Sequence, residues 1–86
     1  MMSEIEIFKA LADPTRLKIL ECLKNQETCI CNIIPYTGKS QPNVSLHLKI
    51  LRQAGLITER KDGTKTMIQI AKNDVFTLID LAHQLT

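Results

Sequence analysis

Apolar residues recur along this chain at helical spacing, and capping residues interrupt the pattern at regular intervals. Ser3 is placed to cap a short first helix reaching Leu11, with Ile5, Phe8, Leu11 and Ala12 on one stripe. Asp13-Pro14 reads as the N-cap and first residue of a second helix, because proline lacks only an N–H that is unpaired there anyway. Leu17, Ile19, Leu20 and Leu23 supply its apolar positions, and it frays into Asn25-Gln26. Thr28 is expected to cap a third, short helix over residues 29–36, ended by Gly38. Ser40 caps a fourth, with Pro42 in its first turn and Gly55 where a left-handed C-terminal cap belongs. Beyond it, LITERK and TKTMIQI flank Asp62-Gly63, a strong short-range hairpin signal. Asn73 or Asp74 caps a last helix to Leu85.

The predicted class is therefore mainly α with a small β-hairpin, in the order α-α-α-α-β-β-α. The third and fourth helices are joined by three or four residues that include Gly38, as in a helix-turn-helix. A basic hairpin after such a unit is the arrangement of a winged helix. One domain is expected over residues 1–86, with the helix-turn-helix at about 29–54, the wing at about 56–70 and the last helix at about 73–85.

Composition narrows the function. A chain of 86 residues buries a modest share of its surface, so help from a partner chain is plausible. Hydrophobic content of 44% with 23% charged residues argues against a disordered tail. Phe8, Phe76 and Tyr36 are the only aromatics, so Leu and Ile must build the core. No apolar run approaches the ~20 residues of a membrane span, and MMSEIEIFKA has no signal-peptide pattern. A small cytoplasmic protein with no membrane partner is expected. The net charge is only +2, but residues 37–66 carry +4 while the segments on either side carry −1 each. A polyanion would be met in that middle third.

The fourth helix and the hairpin carry the candidate chemistry. At 100° per residue, Val44, Leu48 and Leu51 share an arc that must face the core, with His47 beside it. Gln41, Ser45, Lys49 and Arg52 form one polar and basic stripe. Gln, Asn and Ser hydrogen-bond base edges in a major groove, while Lys and Arg pair with phosphates. The N-terminal end of such a helix enters deepest, so Ser40, Gln41, Asn43 and Ser45 are the base-reading candidates. Lys39, Lys49 and Arg52 on this unit, with Arg60, Lys61 and Lys65 around the hairpin turn, complete the DNA-binding set. His47, next to the apolar arc, is expected as a satisfied core or capping histidine.

ALADPTRLKIL, ETCICNI, SQPNVSLHLKILRQAGLI and the RKDG hairpin, in this order, together resemble the ArsR/SmtB family of metal-responsive winged-helix repressors. The likeness runs from about Phe8 to Ile70. It implies a repressor, and it implies that Cys29 and Cys31 of ETCICNI match the family's thiolate metal motif. The chain departs from the family's pattern at Thr28 and Asn32, at Leu46, where a polar or basic residue is common, and at Thr64, where an arginine often follows the glycine. Residues two apart on a regular helix point about 200° apart, so joint chelation needs a distorted first turn or Cys29 at the fraying end. Either lies just before the reading helix, which gives a ligand a route to DNA release.

Soft thiolates at a helix N-terminus favour thiophilic ions such as Zn, Cd or Cu(I), and the resemblance adds arsenite and antimonite. No cofactor is required. Cys22 is the only further thiol and the one candidate for a third ligand, although a buried structural cysteine fits it as well. An odd cysteine count implies no closed disulfide framework, and free thiols are expected in a reducing compartment. The alternative is a regulator whose cysteines are redox-sensing or purely structural. Some relatives carry a metal site on the last helix; here Asn73 and Val75 stand where its first pair would fall, and none is expected.

The last helix instead has Val75, Phe76, Leu78, Ile79, Leu81, Ala82 and Leu85 on more than one face. Two apolar sides need two surfaces, one of them a second subunit, with the first helix contributing. A two-fold homodimer would set two reading helices into successive major grooves of double-stranded DNA, so the expected site is an imperfect inverted repeat. An enzyme is excluded on inventory, with only His47 and His83 as possible bases, no glycine-rich phosphate loop and no CxxC. A winged helix used only for protein contacts is the remaining class, and salt-dependent DNA affinity separates it.

Overall fold

The structure is a computed structural model that describes residues 3–86. Its elements are α1 (Glu4–Leu11), α2 (Pro14–Cys22), β1 (Thr28–Cys29), α3 (Ile30–Thr37), α4 (Gln41–Gln53), β2 (Ile57–Asp62), β3 (Lys65–Ile70) and α5 (Asp74–Gln84). Three of the five helix starts follow the predicted local chemistry. Ser3 accepts from the Glu6 N–H, Asp13 from the Arg16 N–H and Ser40 from the Asn43 N–H. Asn73 precedes α5 without a side-chain cap. Gly38 and Gly63 take positive φ with open space around them, ending α3 and opening the hairpin turn.

One element was not expected. Thr28, predicted as a cap, lies in β1, and the cap of α3 falls instead to Cys29. β1 pairs antiparallel with β3, Thr28 opposite Ile68 and Cys29 opposite Met67, so the hairpin is part of a three-stranded sheet ordered β1-β3-β2. Within the hairpin Asp62 pairs with Lys65, which makes Gly63-Thr64 the two turn residues, one step beyond the predicted Asp62-Gly63.

The core is aliphatic, as the scarcity of aromatics requires. Ile19, Leu20, Ile33, Val44, Leu51 and Ile68 are at most 0% exposed, and neither Phe nor Tyr is among the buried residues. α1 buries Ala10 and packs Ile7 and Leu11 against this core. The predicted stripe is turned outward at three of its four members, because α1 is apolar on two sides: Ile5 and Phe8 are more than half exposed, and Ala12 is exposed as well. α5 buries Val75 and leaves Leu81 and Leu85 in water. Among the described residues, no helix is long and apolar enough to cross a membrane.

Candidate functional site

The turn into α4 is built by local bonds. Thr37 is buried; its hydroxyl donates to the Ile34 carbonyl at 2.9 Å and accepts from the Lys39 N–H at 3.2 Å. With Gly38 left-handed, the chain leaves α3 and Ser40 is delivered to the start of α4. Val44, Leu48 and Leu51 fix the inner face of α4, as their spacing predicts. Lys39, Ser40, Gln41, Asn43, Ser45 and Lys49 are all exposed on this unit. The structure thus brings the base-reading candidates together on one free helix end.

The arginines are placed differently. Arg52 donates to Glu59 of β2 at 2.8 Å, tying α4 to the wing. Arg60 forms a two-pronged pair with Glu27, Nε and one Nη donating at 2.7 and 2.6 Å. That bond holds the Glu27 carboxyl below the usual carboxylate range and raises the Arg60 guanidinium. Both arginines, expected at phosphates, are engaged by carboxylates in the free protein. Lys61 donates to Thr66 at 2.7 Å, and Lys65 stands exposed beside the turn. Glu27 was not among the candidates, since nothing local marks a residue whose partner lies 33 positions later.

Behind the reading helix, Arg16 joins three helices. Its Nε donates to the Ala10 carbonyl at 2.6 Å, one Nη donates to the Lys9 carbonyl at 3.2 Å, and the other lies 3.1 Å from His47 Nδ1. The Asp13 carboxylate is 3.9 Å from the same ring nitrogen. His47 is thus a partnered, half-buried histidine of the scaffold. Arg16 was also missed, but it carried a signal: it is a cation in the first turn of a helix, where the dipole disfavours one. Such a residue needs acceptors, and here α1's terminal carbonyls supply them.

The thiol pair meets its geometric condition at the helix end. Cys29 has extended backbone, φ −65° and ψ 141°, so its side chain folds over the start of α3, where Sγ accepts from the Cys31 N–H at 3.1 Å. The Cα atoms of Cys29 and Cys31 are 5.1 Å apart and their sulfurs are bonded to each other. The expectation of three free thiols is corrected here: placing Cys29 outside the helix removes the angular separation that would keep the sulfurs apart. Cys22 is the free cysteine, half-buried on α2, and burial pushes its thiol pKa up. Among the described residues no three His, Cys, Asp or Glu side chains cluster as a metal site, so Cys22 is not brought to the pair. What fits a soft ion is a two-sulfur chelate, open when reduced, with its other positions free.

Residues 13–59 match the family model described as bacterial regulatory protein, arsR family. An uncharacterized HTH-type transcriptional regulator of Methanocaldococcus jannaschii is 46% identical over 81 residues, covering 93% of this chain and 91% of its own. An arsenical resistance operon repressor of Staphylococcus xylosus is 44% identical over 64 residues, 74% of this chain, and this chain spans 62% of its length. Among solved structures, the homodimeric winged helix-turn-helix DNA-binding domain of a possible ArsR-family regulator from Mycobacterium bovis superposes with a TM-score of 0.83. It is 33% identical and covers 94% of this chain and 75% of that one. These relatives are regulators and not enzymes.

Proposed function

Because this chain belongs to the arsR family of bacterial regulatory proteins, we propose that it is a homodimeric transcriptional repressor released from its operator by a thiophilic ion at Cys29 and Cys31. The observation that carries the reading is the double duty of Cys29. Its backbone pairs with β3 of the wing, and its sulfur caps the first helix of the helix-turn-helix. An ion held by both reduced sulfurs re-aims the Cys29 side chain that caps α3. The start of α3 and the strand beside it then rearrange at the far end of the helix that precedes the reading helix. Coupling of ~1–3 kcal/mol is enough to lower operator affinity between five- and 150-fold.

The remaining parts follow from the same frame. The single domain is cytoplasmic, where its DNA is. Exposed Phe8 on α1 and Leu81 on α5, with the groove between Leu11, Leu17, Leu78 and Ile79, supply the face for a second copy. The two-fold pair then presents two copies of α4 to an imperfect inverted repeat. Lys39, Lys49, Lys61 and Lys65 meet phosphates directly, and Arg52 and Arg60 do so by exchanging their carboxylate partners. Arsenite, antimonite, Cd, Zn and Cu(I) are the candidate ions, and the arsenical repressor among the relatives favours the first two.

A second reading is favoured by the bond between the two sulfurs: a dithiol that oxidises and reduces, with the disulfide as the altered state. One experiment separates the two. The reduced protein is titrated with each ion, and in parallel with a thiol oxidant, while fluorescence anisotropy follows its promoter DNA. Release of wild type by micromolar ion, with Cys29→Ser/Cys31→Ser staying bound, is the expected result. Release by oxidant alone would select the redox reading, and indifference of wild type to both would overturn each.

A further inference from the structure

Leu46 is the large apolar side chain that α4 turns toward water. It is 58% exposed, whereas Val44, Leu48 and Leu51 on the same helix are 0–2% exposed. Counting 100° per residue, Leu46 points ~170° away from the middle of that buried arc. Asn43 and Lys49, both exposed, lie about 60° to either side of it. It occupies the second turn, directly after the polar first turn. Packing within this chain therefore does not account for a leucine here. Nor does it belong to the apolar face shared by α1 and α5.

Besides its hydrogen-bond donors and acceptors, the major-groove edge projects one apolar group, the 5-methyl of thymine. An apolar side chain at the centre of an outward helix face, framed by an amide and an ammonium, matches that group. We propose that Leu46 is a specificity-determining residue that packs on a thymine methyl in each half-site; this rests on α4 entering the major groove. Neither cytosine nor uracil presents the methyl, so the preference is for thymine over both.

The test uses the full-length protein and an operator selected by wild type from random duplex DNA. Each thymine is replaced in turn by deoxyuridine, symmetrically in both half-sites, which removes one methyl and preserves pairing. At one position wild type should lose about fourfold in affinity per half-site, the value expected for one buried methyl group. Leu46→Ala, at an exposed site that leaves the helical far-ultraviolet signal unchanged, should bind more weakly and be indifferent to that replacement. Wild type indifferent to every deoxyuridine would overturn the proposal, as would Leu46→Ala keeping the full penalty. Absence of salt-dependent DNA binding by wild type would overturn the DNA-binding reading and this inference with it; tight binding without a methyl dependence overturns this inference alone.

Discussion

At the corner between α1 and α2, the Asp13 carboxylate accepts from the Arg16 N–H at 3.0 Å and faces His47 across 3.9 Å. The backbone hydrogen bond is the main reason that its pKa is lowered, and the nearby Arg16 and His47 charges add to it. A carboxyl whose folded pKa lies below its unfolded value near 4 contributes fully above about pH 4 and loses that contribution as pH falls through the lowered value. Asp13→Ala should cost about 1–2 kcal/mol in urea unfolding at neutral pH. Asp13→Asn keeps the cap without the charge, so its stability should fall less than that of wild type between about pH 4 and pH 2. This cap was legible because it is local, an aspartate directly before a proline. The role of Arg16 was not, since its acceptors lie on two other helices.

The elements divide on the same principle. Helix ends at Ser3, Asp13, Ser40 and Gly38 depend on residues within four positions, and each was readable from the chain. β1 was not, because two residues have no period and their hydrogen-bonding partners come about 40 positions later in β3. Without β1, Thr28 reads as a cap and nothing singles out Glu27. The strand instead sets Glu27 against Arg60 of β2, so the wing's arginine is held by a carboxylate when no DNA is present. Glu27→Gln should release it. Operator affinity should rise, and the plot of log affinity against log salt should steepen by about one unit for each added phosphate contact.

For the whole molecule the informative surface is the one left apolar. Phe8 and Leu81 are 57% and 54% exposed on α1 and α5, which the core uses on their other sides. The doubled apolar pattern of the last helix was readable, and so was the involvement of the first; which face of α1 turned outward was not, because Ile7 and Ala10 compete for the core with Ile5 and Phe8. Phe8→Glu combined with Leu81→Glu should leave the fold intact and give a monomer in sedimentation velocity. Its operator affinity should fall by more than tenfold, because each half-site then binds alone.

The pairing of β1 with β3 also closes a loop in the chain. Thr28 and Ile68 face each other across the sheet, and the thiol pair, the turn, α4 and most of the wing lie between them. α1, α2 and α5, which carry the exposed face, lie outside. The proposed sensing and reading residues therefore occupy one continuous stretch of chain whose two ends meet, and the proposed assembly face occupies the flanks. Recombination at those two ends would carry effector and operator preference across together, as a cassette set into a foreign scaffold. An exchange of α4 alone would divorce them.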